Sequence, residues 1–87
     1  MEQQVRIDKF LWSIRVYKTR TEAADACRSG KVSVNGAEAK ASRDVKAGDT
    51  VSVRKGSVRF QYRVIVPIGN RVGAKLVPEF AEDITPQ

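Results

Sequence analysis

The chain has 87 residues, 41% of them hydrophobic, enough for one small domain with a marginal core and too apolar for a disordered tail. It contains no histidine and one cysteine, Cys27, which excludes a Cys–His nucleophile, a zinc cage of standard type and an internal disulfide. Its net charge is +6, and residues 1–75 hold all 16 Lys and Arg against seven acids, a surplus that attracts polyanions, of which nucleic acid is the commonest.

In chain order, Ile7, Phe10, Leu11 and Ile14 fall at i, i+3, i+4 and i+7, which predicts an amphipathic helix of about three turns. On that wheel Lys9 lies opposite the apolar stripe, with Asp8, Trp12 and Arg15 on one flank. Val16 and Tyr17 weaken the helix where it ends. Thr19-Arg20-Thr21-Glu22 fits a capping box, in which the Thr19 hydroxyl accepts from the Glu22 amide and Glu22 reaches back. A second helix follows through Ala23, Ala24, Ala26 and Cys27, small enough for close approach to the first, and Gly30 suits a left-handed C-terminal cap.

Beyond Gly30 the period becomes two. Val32 and Val34 lead to Asn35-Gly36, a type I′ hairpin signal, and Ala37 to Ala41 return. Val45 and the turn 46–49 precede Val51 and Val53. Another turn at 55–57 precedes a long strand in which Val58, Phe60, Tyr62, Val64 and Val66 alternate, with Phe60 and Tyr62 read as core; Pro67 stops it. The fold class is therefore α+β, a two-helix hairpin packed on a small twisted antiparallel β-sheet, ordered ααββββ. Residues 1–66 form this domain and residues 67–87 an acidic tail. Gly69, Gly73, Pro78 and Pro86 break any long helix there, and an extended strap anchored by Val72, Leu76 and Phe80 is expected.

Catalysis fails on inventory, because the acids are scattered and each has a structural reading: Asp8 at a helix start, Glu22 in a cap, Asp49 in a turn. No phosphate-cradling glycine motif occurs, and no metal or other cofactor is implied. Glu2, Arg6, Asp8 and Lys9 interrupt any apolar start, and no apolar run approaches the ~20 residues of a membrane helix, so a cytoplasmic monomer with no membrane partner is expected. Lys9, Arg15, Lys18, Arg20 and Lys31 instead occupy polar positions on the two helices and their connection, and the hairpin adds Asn35 and Lys40. Arg can grip phosphate oxygens in pairs, and the amides near Thr19 and Arg20 open a helix toward an anion. Each has a bland alternative: a solvated face for Lys9, a pair with Asp8 for Arg15, a helix-dipole partner for Lys31. Trp12 reads first as a wedge and second as a stacking platform, and Tyr17 as a brace of the interhelical turn. Arg54, Lys55, Arg59 and Arg63 form a second basic group on the sheet's outer face.

Arg6-Ile7-Asp8-Lys9-Phe10-Leu11-Trp12, Arg15, Tyr17-Lys18-Thr19-Arg20, Gly30-Lys31-Val32, Asn35-Gly36, Lys40 and Ser42 together resemble the S-four RNA-binding domain family. The Asp-Lys-x-Leu-Trp and Tyr-Lys-Thr-Arg elements resemble its heat shock protein 15 branch. The resemblance covers about residues 5–55. It implies the alpha-L RNA-binding motif, with structured ribosomal RNA and the large ribosomal subunit as partners, and a role in the rescue of stalled large subunits. Carried over by position, it implies an RNA-contacting face of Arg6, Lys9, Arg15, Lys18, Thr19, Arg20, Lys31, Asn35 and Lys40, with Arg28 secondary. After residue 66 the pattern departs, because that branch often continues into a long, strongly charged helix.

Two rival readings stay open. A double-stranded DNA binder would use the second helix as its recognition helix, although Ala, Asp, Glu and Cys offer it few base-reading side chains. A protein-interaction adaptor would use the acidic tail to dock a partner or to mask the basic face.

Overall fold

The computed structural model describes residues 5–85; Glu2 and Pro86, which entered the sequence reading, lie outside the described residues. A short strand β1 (Val5–Arg6) leads into helix α1 (Ile7–Ser13), and α2 (Arg20–Arg28) follows. Strands β2 (Val32–Val34) and β3 (Ala37–Glu38) make the first hairpin, β4 (Asp44–Val45) pairs with β1, and β5 (Thr50–Lys55) and β6 (Val58–Val64) make the second hairpin. A 3-10 turn (Ala74–Leu76), a one-turn helix α3 (Val77–Phe80) and strand β7 (Ala81–Asp83) complete the described chain. The main sheet is antiparallel with order β3-β2-β5-β6-β7.

The apolar stripe of α1 is buried as the spacing predicts, with Ile7, Phe10 and Leu11 fully enclosed together with Ala23 of α2 and Val32, Val34, Val51 and Val53 of the sheet. The helix is shorter than its pattern. It has seven residues, and Ile14 already caps it. The Arg15 amide donates to the Trp12 carbonyl (3.1 Å) and the Val16 amide to the Leu11 carbonyl (2.9 Å), a Schellman closure that needs its central residue left-handed; Arg15 has φ 67°. The end of α2 repeats this geometry. Gly30 donates to Cys27 (3.1 Å), Lys31 donates to Ala26 (3.0 Å), and Gly30 has φ 75°. The first hairpin turns on Asn35 (φ 53°) and Gly36 (φ 87°), as a type I′ turn requires.

Three expectations need correction. β6 ends at Val64, because the Ile65 and Val66 amides both turn to the Phe80 carbonyl (2.8 and 3.1 Å) and leave the ladder. Phe60 and Tyr62 are half-buried: β7 pairs only with Tyr62–Val64, so Phe60 lies where β6 is an open edge, while Tyr62 packs against the rim of the core. The tail is not an extended strap throughout. Phe80 packs against the core and Ala81 is buried, so its last part folds back as helix and fifth strand, while Leu76, expected as an anchor, is exposed. Only residues 67–73 cross the body without regular structure.

Candidate nucleic-acid interface

The α1–α2 connection, residues 14–19, carries the densest group of candidate residues. The Thr19 hydroxyl accepts from the Glu22 amide (3.0 Å), which fixes the start of α2 and leaves Lys18, Thr19 and Arg20 exposed around it. The reciprocal bond expected from the Glu22 side chain is not made among the described residues. Arg15 does not pair with Asp8. Its Nη1 donates to the Val72 carbonyl (3.1 Å), so the side chain is oriented by a neutral acceptor that leaves its charge uncancelled. Lys9 is half-buried, and its stem lies along residue 69: a Cβ added to Gly69 would stand 3.1 Å from Lys9 Cε.

The other predicted residues are spread more widely. Arg6 precedes α1, and its Nε and Nη2 each donate to a carboxylate oxygen of the buried Asp8 (3.2 and 3.2 Å), a bidentate pair that clamps the helix start. Asn35 accepts from the Thr50 amide (2.9 Å) and donates to Asp49 (3.1 Å), tying two turns together. Lys31 is exposed after α2 and borders a cleft of about 290 Å³ shared with Tyr17, Arg54 and Lys55. Lys40 is exposed in the loop after β3 and borders a separate cleft beside Cys27 and Arg28. Arg28 itself is paired with Asp25. The structure thus gathers Arg15, Lys18, Thr19 and Arg20 at one end of the helical hairpin, with Lys9 one helical face away, and places Arg6, Lys31, Asn35 and Lys40 around the rest of the body.

Lys55 moves from one surface to another. Its register opposite Val58 puts it on the same side of the sheet as Val51 and Val53, so it faces the helices instead of the outer face. There its Nζ donates to the Val16 carbonyl (2.9 Å) and lies 5.1 Å from the Tyr17 ring centroid. Burial, followed by the nearby Cys27 and Glu22, pushes the Tyr17 phenol above its ordinary value of 10.0, so the ring serves as a neutral brace. Arg71 escaped the sequence reading altogether. It lies in the Gly- and Pro-broken tail past the alternating strand, yet its Nη1 donates to the Lys18 carbonyl (2.7 Å) and its guanidinium stands 5.8 Å from the Trp12 ring centroid. No local signal in the tail announces that contact.

Among the described residues there is no cluster of His, Cys, Asp and Glu able to hold a metal ion, and no helix is long and apolar enough to cross a membrane. Cys27 is buried and its thiol is pushed up to about 11, first by burial and then by Asp8, so it stays protonated at neutral pH.

A family model described as the S4 domain matches residues 5–51. The heat shock protein 15 homolog of Haemophilus influenzae is 40% identical over 73 residues, covering 84% of this chain and 56% of the relative. The RQC P-site tRNA stabilizing factor of Helicobacter pylori is 55% identical over 49 residues, covering 56% of this chain and 58% of the relative. The chain therefore spans less than two thirds of the length of these curated relatives. The trimeric structure of heat shock protein 15 from Vibrio cholerae superposes with a TM-score of 0.87 at 33% identity, over 93% of this chain and 82% of that one. A match across more than half of its residues, carried by the helical hairpin and the first β-hairpin described above, means that the chain belongs to the S4 domain family.

Proposed function

We propose that this chain binds structured ribosomal RNA through the exposed end of its helical hairpin and acts on the large ribosomal subunit, in the manner of a heat shock protein 15. Arg15, Lys18, Thr19 and Arg20 are the centre of the contact, Lys9, Lys31 and Lys40 flank it, and Arg6 and Asn35 hold the frame. The observation that carries this reading is the orientation of Arg15 by a carbonyl instead of a carboxylate, in a run of exposed cations at a helix start. Such groups suit phosphates and 2′-hydroxyls of a folded RNA, read by shape more than by base sequence. The similarity to factors named for stabilising a P-site tRNA supports a site close to tRNA on the ribosome.

With about five phosphates neutralised, log affinity falls with log salt at a slope of roughly −3.5 to −4.5. The triple variant Arg15→Ala, Lys18→Ala, Arg20→Ala is expected to flatten that slope by about 2, measured by titration against a structured ribosomal RNA fragment. Unchanged binding of this variant would refute the assignment. Duplex DNA in the same titration serves as the competitor, and preferential binding to it at physiological salt would favour the DNA reading instead.

A further inference from the structure

The segment 67–73 lies beyond the matched family region, residues 5–51, and it is tied to the helical hairpin at four places. Gly69 rests on the Lys9 stem, the Val72 amide donates to the Ser13 carbonyl (3.2 Å), the Val72 carbonyl accepts from Arg15 (3.1 Å), and Arg71 donates to the Lys18 carbonyl (2.7 Å). The Val72 bonds already hold the segment by its backbone. What Arg71 adds is a positive charge, held at the Lys18 backbone carbonyl and 5.8 Å from the Trp12 ring centroid.

No ion pair among the described residues neutralises that charge. The ion pairs among the described residues are Arg6–Asp8, Arg28–Asp25 and Arg63–Glu82, and none involves Arg15, Lys18 or Arg71. A guanidinium carries five N–H donors, and of those on Arg71 one has an acceptor among the described residues. A carbonyl orients such a group without cancelling its charge, whereas a carboxylate would do both. A cation–π contact with an indole and a fixed carbonyl bond also remove rotamer freedom before any ligand arrives, so less is lost on binding. These are the properties of a preformed anion subsite.

We propose that Arg71, supplied from outside the matched family region, forms with Arg15 and Lys18 a subsite for one backbone phosphodiester of the bound RNA, with Trp12 aligning its guanidinium. The assignment rests on the helical hairpin being the RNA face. The test compares the unaltered 87-residue chain, Arg71→Gln and Arg71→Lys in titrations of a structured ribosomal RNA fragment across a salt series. Arg71→Gln is expected to flatten the slope by about 0.7 to 0.9, which makes the affinity lost between 50 and 200 mM salt about threefold smaller, and Arg71→Lys is expected to keep most of the slope. A slope unchanged in Arg71→Gln would overturn the subsite, leaving Arg71 as a latch. A slope lost equally in both variants would overturn it too, because a charge contact tolerates Lys and a purely geometric one does not. If the Arg15, Lys18 and Arg20 triple variant weakens binding while Arg71→Gln does not, only this subsite fails; if neither changes binding, the RNA face itself is misplaced.

Discussion

The two helices of the hairpin end in the same way with different residues. Each closes by a Schellman pair of bonds around one left-handed residue, Arg15 after α1 at φ 67° and Gly30 after α2 at φ 75°. Gly30 is the residue that this geometry favours, because it has no Cβ to crowd the following carbonyl. Arg15 accepts a backbone conformation that costs an L-residue about 1–2 kcal/mol. Strain retained at one of two equivalent ends points to a side chain selected for what it touches, and Arg15 touches the strap at Val72. The end of α2 is built for stability and the end of α1 for contact.

The largest effect that sharpens this contrast is at Gly30. Gly30→Ala meets the Glu38 carboxylate at an ordinary 3.5 Å, so space is not the obstacle, and the positive φ alone is expected to cost about 1–2 kcal/mol in denaturant unfolding. A cost near zero would mean that the left-handed closure carries no strain. The mirror change is smaller and of opposite sign. Arg15→Gly relieves the same strain and is expected to raise unfolding free energy by up to about 1 kcal/mol while weakening RNA binding, a split readable by urea melts and titration on one sample. Loss of stability in Arg15→Gly would show that its bond to Val72 outweighs the strain.

An effect absent at neutral pH concerns Cys27, whose carbonyl accepts in the α2 closure and whose thiol is held up to about 11 from an ordinary 9.0, first by burial, then by Asp8, against Arg28. The unfolded thiol loses its proton at lower pH than the folded one. Its contribution to stability is therefore fully present below pH 9.0 and is lost as pH rises toward about 11. Comparing the pH dependence of wild type and Cys27→Ala isolates this contribution from Lys and Tyr titration, and identical slopes above pH 9.0 would contradict it.

What was legible in the sequence was local chemistry. Thr19 before Glu22, Gly30 after the second helix and Asn35-Gly36 each specify a backbone conformation within a few residues; the two turns form as read, and the cap forms on its Thr19 side. The periodicity of Ile7, Phe10, Leu11 and Ile14 named the buried face, but not the helix end, because the last member of the stripe is buried equally well as a cap. Long-range pairing was hidden. β7 exists because Ala81–Asp83 meet Tyr62–Val64 from 17 or more residues away, and nothing in a short acidic segment marks it as a strand. The helix-facing side of Lys55 depended on strand register, and the arrival of Arg71 at Lys18 depended on a crossing of 53 residues. The candidate site was thus half visible: its helical cations follow from the pattern, while the partner that crosses to them from the tail does not.

The outer face of the sheet provides the control for the central claim. It too is basic, yet Arg54 stands directly opposite Arg59, a repulsive cross-strand pair, and Arg63 is partnered by Glu82 at 3.7 Å. The decisive measurement sets two triple variants side by side in the same salt series with ribosomal RNA, one replacing Arg15, Lys18 and Arg20 by Ala, the other Arg54, Arg59 and Arg63. The hairpin variant is expected to flatten the salt slope by about 2 and the sheet variant to leave it within about 0.5 of wild type. The reverse order would place the RNA on the sheet and contradict the account.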